Sequence, residues 1–206
     1  MEEVVVTYKT FKFNELTEEV QEKVIEKNRE DRSQYNNEHV FECCLDDWKE
    51  KLDKIGFYDP KIYFSGFWSQ GDGACFETKE CDLVEIMKHL IEVLPPKFKG
   101  KYRHLMPFID EGTIYCSIYT NDFGHHYSHE RTRNIDLEYP FWHERCPKAV
   151  ALCKELREDL EEYRYDLAHE LYVALEAEWD YHVSEECIKE DIANNDYTYL
   201  EDGKIF

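Results

Sequence analysis

The apolar residues between Val150 and Ala177 recur at steps of three and four, and this periodicity constrains the fold more than any other feature of the chain. The stripe consists of Val150, Cys153, Leu156, Leu160, Tyr163, Leu167, Leu171, Ala174 and Ala177. Such spacing predicts a long amphipathic helical region that begins after Pro147 and turns its apolar side towards a core.

Acidic residues are concentrated in the same part of the chain. The 206 residues carry 46 Asp and Glu against 25 Lys and Arg, a formal net charge of -21. Residues 155–202 alone hold 17 acidic side chains against 3 basic ones, a net charge of -14. We therefore expect one strongly electronegative end, and direct binding of DNA or RNA is disfavoured because phosphates would be repelled.

Length and composition indicate a folded protein without a membrane segment. A hydrophobic fraction of 42% with 15% aromatic residues excludes a disordered acidic chain. The length predicts a single domain over residues 1–206, with 147–192 as a helical acidic subregion. Met1-Glu2-Glu3 lacks a basic leader, and no apolar run approaches the roughly 20 residues that cross a bilayer, so we expect a cytoplasmic protein. Eight cysteines without a Cys-x-x-Cys pair predict reduced thiols and no structural zinc.

Helix signals are clear in the first half of the chain. Thr17 offers an N-cap for a helix to about Arg29. Apolar residues at helical spacing from Val40 to Ile55 predict a second helix that ends at Gly56. Asp82 caps a third helix, which Pro95-Pro96 ends, and we expect a loop from there to about Glu111.

Strand signals lie between these helices and at both ends of the chain. Predicted strands or hairpins cover Val4–Val6 with Tyr8, 61–68, 74–78, 113–120, 127–137 and 197–206. Short connections favour antiparallel pairing. The predicted fold class is α+β, mainly an antiparallel sheet with helices packed on one face and a long acidic C-terminal helical region.

Two of these strands are joined by the stretch Phe64-Ser-Gly-Phe-Trp-Ser-Gln-Gly-Asp-Gly-Ala-Cys-Phe76. It resembles the F-S-G-F-[WY]-S-Q-G-D-G-A-[SC]-F core of a family of small bacteriophage and prophage proteins, some of which belong to toxin–antitoxin or defence-evasion settings. Phe13-Asn14-Glu15-Leu16 and Tyr127-Ser-His-Glu130 are further points of similarity. The resemblance implies a phage accessory protein in a bacterial host, and no catalytic residue can be carried over from it.

The aromatic residues of this stretch cannot all be buried on one side of a strand. Phe67 or Trp68 is therefore expected to be exposed beside a polar loop, where an aromatic side chain can serve as a binding anchor. The same loop allows a different hypothesis, a small-ligand site or enzyme. Its residues would be Ser69, Gln70, Asp72, Tyr127 and His129. No Lys-Ser/Thr follows the glycines, so a nucleotide phosphate loop is not indicated.

The histidines of the segment 125–129 do not predict a metal site. In a strand, His125 and His129 share a face but lie about 13 Å apart, and His126 points to the other face. Only a helix would bring His125 and His129 onto neighbouring turns. Among the cysteines, Cys75 is the candidate nucleophile because it lies next to the loop 69–73, but its apolar neighbours predict a buried, inert thiol.

The carboxylates of the C-terminal helical region allow two interpretations. They form either a solvated helix face or a phosphate-like track that fills the cationic groove of a nucleic-acid-binding partner. The residues assigned to this partner surface, together with Phe67 and Trp68, are Glu155, Glu158, Asp159, Glu162, Asp166, Glu176 and Asp180.

Three functional hypotheses follow. The leading one is a non-enzymatic, phage-encoded inhibitor that binds a host defence protein, of the anti-CRISPR or anti-restriction type. The second is an antitoxin-like binder of a basic toxin, and the third is a nucleotide or small-ligand binder or enzyme that uses the loop 69–73. The sequence assigns no catalytic residue, cofactor or metal.

Overall fold

The computed structural model describes residues 7–34, 38–93, 100–120, 128–140 and 146–206. Within these ranges the chain has an α+β fold with antiparallel strands and a long C-terminal helix, as predicted. The helices are α1 (Glu18–Gln34), α2 (Glu42–Ile55), α3 (Leu83–Val93), α4 (Met106–Asp110), α5 (Pro147–His182) and α6 (Glu185–Asn194). The strands are β1 (Phe11–Lys12), β2 (Phe57–Tyr58), β3 (Lys61–Phe64), β4 (Ala74–Glu77), β5 (Glu80–Cys81), β6 (Tyr115–Thr120), β7 (Arg133–Glu138) and β8 (Thr198–Tyr199).

The strands pair two at a time in antiparallel ladders. The pairs are β1 with β8, β2 with β5, β3 with β4, and β6 with β7. In β6 the side chains alternate as the sequence predicts: Cys116 and Ile118 are buried, whereas Tyr115 and Tyr119 are exposed. The strands thus form small two-stranded sheets in place of the single main sheet expected from the sequence.

Thr78 connects three of these pairs. Its carbonyl accepts the amide of Ile118 on β6 at 3.3 Å. Its buried hydroxyl contacts the carbonyl of Tyr58 on β2 and accepts the amide of Glu80 on β5 at 3.2 Å. One threonine at the end of β4 therefore hydrogen-bonds to backbone groups of β2, β5 and β6.

The chain divides into two compact units. The terminal unit comprises Met1–Glu42 and Ala177–Phe206, and the central unit comprises Cys43–Glu176. Each unit has buried apolar residues of its own. The expectation of one domain over residues 1–206 stays a prediction.

In the terminal unit, α1 packs against α6. The buried cluster consists of Leu16, Val24, Ile25, Ile188, Ile192 and Tyr199. Two arginines of α1 reach the end of α5: Arg29 Nε donates to the carbonyl of Val183 at 3.1 Å, and Arg32 Nη1 donates to that of His182 at 2.7 Å. These bonds satisfy carbonyls that a helix end leaves without an intrahelical partner.

In the central unit, two helix ends follow the sequence signals. Gly56 takes a φ of +110° at the end of α2, in the left-handed region where glycine carries no steric cost. Asp82 caps α3, because its Oδ1 accepts the amides of Val84 at 2.9 Å and Glu85 at 3.1 Å. Both boundaries were predicted.

The predicted apolar stripe of α5 is confirmed as far as Leu171, but beyond this residue other side chains than the predicted ones are buried. Leu156, Leu160, Leu167 and Leu171 are buried as predicted, but Ala177 is exposed and Ala174 only half-buried. Beyond Leu171 the buried positions are Leu175 and Trp179. Steps of three and of four residues both keep a side chain on the same face of a helix, so the sequence pattern allowed either set of residues. Leu175 and Trp179 take the buried positions because their larger side chains remove more apolar surface from water than two alanines would.

Several segments differ from the prediction. The first helix, expected to end at about Arg29, continues to Gln34. The stretch expected to be loop up to Glu111 contains α4, which has a proline among its first residues. The strand expected from residue 127 begins only at Arg133, because Glu130–Thr132 forms a short 3-10 helix. His129 Nδ1 caps this 3-10 helix by accepting the amide of Arg131 at 3.1 Å.

Other predictions fall on residues outside the described ranges. They concern Val4–Val6, Pro95-Pro96, His125, His126 and Tyr127. Across the described parts of the chain, no helix combines the length and apolar character required to traverse a bilayer.

Candidate functional site

The loop between β3 and β4 is held closed by one carboxylate. Asp72 Oδ2 accepts the amide of Trp68 at 3.0 Å and that of Ser69 at 2.6 Å. The amide of Asp72 donates in turn to the carbonyl of Ser69 at 3.0 Å. Asp72 thus serves the turn itself, as aspartate side chains commonly do.

The two ends of the loop require glycine for different physical reasons. Gly66 has a φ of +78° and faces the carboxylate of Asp72, which would lie 3.3 Å from an added Cβ. Gly73 is required by a neighbour: an added Cβ would lie 2.4 Å from the Cβ of His129 and 2.9 Å from its Cα. Such distances leave no room for a side chain at position 73.

The loop therefore packs against the second stretch that carried the family resemblance. The amide of Ser128 donates to Ser65 Oγ at 3.3 Å, and His129 lies against Gly73. The structure brings together Asp72 and His129 of the predicted ligand loop, although the carboxylate and the imidazole Nδ1 both accept backbone amides. Ser69 and Gln70 are exposed at the loop tip, and Tyr127 lies outside the described residues.

Phe67 is the centre of an aromatic cluster beside the loop. Its ring centroid lies 6.2 Å from that of Phe64, 5.9 Å from that of Trp68 and 5.6 Å from that of Tyr172 on α5. Phe67 is half-buried by these contacts, whereas Trp68 is 75% exposed. Trp68 is thus the exposed aromatic residue that the sequence led us to expect in this loop.

The predicted acidic surface lies on α5, but its members differ in exposure. Glu155, Glu158, Glu162 and Asp166 are exposed. Asp159 is half-buried, and its Oδ2 accepts from Lys101 Nζ at 2.8 Å and from the hydroxyl of Tyr102. Burial and the hydrogen bond to Asp159 raise the pKa of Tyr102. Asp159 therefore contributes to packing inside the central unit.

Three of the exposed carboxylates form what we call the acidic row: Glu158, Glu162 and Asp166. They follow one another at intervals of four residues, about 6 Å along the helix axis. No basic side chain of the described chain lies within ion-pair distance of them. Exposed His169 and Val173 interrupt the row.

The other two predicted carboxylates lie further along α5. Glu176 comes 18 residues after Glu158, which is about five helical turns, and so points in the same direction from the axis. Glu176 is half-buried and belongs to the central unit. Asp180 is exposed and belongs to the terminal unit.

A buried arginine in α5 was not found by sequence reasoning. Arg164 has no exposed surface, and its Nη2 donates to Glu161 Oε1 at 2.7 Å and to the carbonyl of Arg133 at 2.9 Å. Its Nε and Nη1 find no acceptor among the described residues. Two features of the sequence could have indicated a special role for Arg164. It adjoins Tyr163 of the apolar stripe, and it is one of only three basic residues in 155–202.

A second buried arginine lies beside it on β7. The guanidinium of Arg133 covers the ring of Tyr63 at 4.8 Å, and its Nε lies 3.4 Å from Glu77 Oε2. The hydroxyl of Tyr63 donates to Glu77 Oε1 at 2.7 Å. The two arginines and the two glutamates Glu77 and Glu161 balance in charge, which is the usual condition for burying ionised groups.

Cys75 is fully buried next to these groups, and Thr132 Oγ1 lies 3.5 Å from its sulfur. Burial raises the pKa of the Cys75 thiol, which keeps it protonated near neutral pH. This environment agrees with the expectation of an unreactive thiol. Throughout the described ranges, no three His, Cys, Asp or Glu side chains are grouped to hold a metal ion.

Comparison with known protein families assigns the chain to one of them. A family model matches residues 40–185, more than half of the protein. The chain belongs to DUF8835, a domain of unknown function. No curated protein and no solved structure matches it. The DUF8835 segment contains the loop 64–76, the stretch 128–132 and all of α5, so both candidate surfaces are features of the family's own region.

Proposed function

We propose that the chain is a non-enzymatic, phage-encoded inhibitor that binds a host defence protein, of the anti-CRISPR or anti-restriction type. The acidic row on α5 is the contact surface. The observation that carries the proposal is that Glu158, Glu162 and Asp166 are exposed and lack a basic partner in the described chain. The family resemblance of the stretch 64–76 supports the phage setting.

The energetics of the isolated helix favour a role in binding. Like charges four residues apart destabilise a helix by about 0.2–0.5 kcal/mol per pair. The pairs Glu158–Glu162 and Glu162–Asp166 therefore oppose folding slightly. A partner groove lined by Lys and Arg would reverse this repulsion, speed association and reject partners of the same charge.

Other carboxylates near the acidic row, unlike those in it, have basic partners. Glu161 pairs with Arg164 at 2.7 Å, and Glu170 pairs with Lys51 at 2.8 Å. Glu155 lies 3.5 Å from Lys101 Nζ, which Asp159 also contacts. The chain thus neutralises the acids around the row and leaves the row itself charged, which defines the residues to test.

The other two hypotheses are supported less. Asp72 and His129 of the ligand loop accept backbone hydrogen bonds, which favours a structural role for both. An antitoxin would use the same acidic row against a basic toxin. Co-expression with a toxin separates these cases, because only an antitoxin restores growth.

The test is recovery of the partner from a bacterial host lysate at low and at high salt. The tagged wild type is compared with the triple variant Glu158→Gln/Glu162→Gln/Asp166→Asn. The matched control is Glu22→Gln/Glu30→Gln/Asp31→Asn, which removes the same charge from exposed positions of α1.

We expect the wild type and the control to retain a nucleic-acid-binding defence protein at low salt and to lose it at high salt, because exposed charges are screened. The row variant should not retain it. Recovery of the same partner by the row variant, or of no such protein by the wild type, would contradict the proposal.

A further inference from the structure

Two cysteines of the central unit, Cys81 on β5 and Cys116 on β6, share a hydrogen bond between their thiols. They are 35 positions apart in the sequence, but β5 lies alongside β6 beyond the antiparallel bridge between Thr78 and Ile118. Cys81 is further anchored because its backbone pairs with Phe57 on β2. The fold therefore brings together two thiols whose spacing in the sequence gives no sign of a pair.

The two sulfurs differ in how easily a small molecule reaches them. Cys116 is buried, whereas Cys81 is half-buried and lines a surface cleft of about 310 Å³ together with Tyr58, Ile109 and Tyr115. The hydrogen bond to Cys81, and then burial, raise the pKa of Cys116, so this thiol keeps its proton near neutral pH. The sulfur that a small oxidant attacks first is therefore that of Cys81.

We propose that Cys81 and Cys116 are a modification site, at which a peroxide converts the two thiols into a reversible disulfide. With hydrogen peroxide, the Cys81 thiolate first attacks one oxygen, so an S–O bond forms and the O–O bond breaks. The departing hydroxide leaves as water with the proton that the Cys81 thiol gave up, and Cys81 becomes a sulfenic acid.

In the second step the sulfur of Cys116 attacks the sulfur of the Cys81 sulfenic acid. An S–S bond forms, the S–O bond breaks, and the hydroxide leaves as water with the proton of the Cys116 thiol. The two thiols together lose two electrons, and one hydrogen peroxide is reduced to two waters. A small dithiol reductant reverses the reaction by thiol–disulfide exchange.

The arrangement suits the second step in particular. A disulfide needs two Cα atoms about 4.4–6.8 Å apart, and adjacent strands lie about 4.8 Å apart, so thiols already in contact require little backbone movement. Because Cys116 is in place before the sulfenic acid forms, the acid is consumed before it is oxidised further. Cys75 and Cys153, by contrast, are fully buried and give an oxidant no access.

The bond would cross-link β5 and β6 next to Thr78. The closed loop runs from Cys81 to Cys116 and contains α3 and α4. A cross-link of this kind restricts the unfolded chain, so the oxidised central unit should resist unfolding better than the reduced one. The proposal is independent of the inhibitor function.

The test treats the folded, full-length protein with hydrogen peroxide, blocks the remaining thiols and maps the disulfides by mass spectrometry. We expect a peptide pair joined through Cys81 and Cys116, which dithiothreitol separates. Cys116→Ala should stop the reaction at the Cys81 sulfenic acid, which dimedone traps, and the wild type should give at least about tenfold less dimedone adduct at Cys81. Cys81→Ser should leave Cys116 reduced. The control Cys43→Ser removes an exposed cysteine and should not affect the bond.

Three results overturn the proposal: a Cys81 sulfenic acid that persists in the folded wild type, a disulfide from Cys81 to another cysteine, or a Cys81 that stays reduced while Cys43 is oxidised. If Cys116→Ala does not fold, the comparison of the wild type with Cys81→Ser decides, because Cys116 must be oxidised in the first and reduced in the second. The inhibitor function fails or stands separately, in the lysate experiment.

Discussion

Gly73 and His129 approach each other so closely that a Cβ on residue 73 would lie 2.4 Å from the Cβ of His129. The obstacle includes the His129 backbone, since its Cα would lie 2.9 Å away. This contact locks the loop 64–76 against the segment 128–132. It explains in packing terms why glycine occupies the last position before β4.

Gly73→Ala should destabilise the protein by about 2 kcal/mol, because either the loop or the segment 128–132 must move to accept a methyl group. Chemical denaturation measures the change. Gly100→Ala is the matched control, since nothing lies within 4 Å of an added Cβ there, and its effect should stay within about 0.5 kcal/mol. Equal stability of the two variants would show that the contact is not tight in solution.

Asp72→Ala should cost about 1 kcal/mol, the typical loss when a side chain no longer caps backbone amides. The amides of Trp68 and Ser69 then have only water as an acceptor. Asp72→Asn keeps an acceptor oxygen and should lose less than half as much. If Asp72→Ala leaves both stability and proteolytic resistance of the loop unchanged, the carboxylate is free for another role, and the ligand hypothesis gains weight.

Arg164→Met should destabilise the central unit by about 3 kcal/mol, because it leaves Glu161 without its buried partner. Adding Glu161→Gln should restore part of the loss, since the glutamine oxygen can still accept the amide of Ile135, which donates to Glu161 at 3.0 Å. The control Arg157→Met changes an exposed arginine of the same helix and should be nearly neutral. Additive effects of the Arg164 and Glu161 changes would show that the pair contributes no coupling energy.

Cysteine alkylation at pH 8, followed by mass spectrometry, should label Cys43 and Cys146 rapidly because both are exposed. Cys75 and Cys153 should be labelled only after unfolding. Burial raises the pKa of Cys153 to about 11, so its thiol stays protonated in the folded protein even when the pH reaches 9. Rapid labelling of Cys75 in the folded state would contradict the buried, inert thiol.

Local signals in the sequence predicted most helix ends and strand positions. Thr17, Gly56 and Asp82 mark the helix boundaries as expected, because caps and left-handed glycines act over a few residues. The division of the strands into pairs was not predictable. It depends on contacts such as Thr78 with Ile118, which join residues 40 positions apart and leave no periodic trace.

The candidate site was predictable in its residue types and only partly in its arrangement. An exposed aromatic in the loop and an acidic face on α5 followed from alternation and helical spacing. The burial of Asp159 against Lys101 and Tyr102 did not, because a carboxylate on a helix gives no sign of a partner from another segment. Sequence reasoning also assigned no role to Arg164, which is buried and paired with Glu161.

The hydrogen bonds of Thr78 determine how the strands of the central unit separate during hydrogen exchange. The amide of Ile118 can exchange its hydrogen with solvent only when its bond to Thr78 breaks, and that bond belongs to β6 and the end of β4 at once. The Thr78 hydroxyl adds β2 and β5 to the same junction. The three strand pairs of the central unit are therefore connected at one residue, and we expect their slowest-exchanging hydrogens to share a common opening free energy.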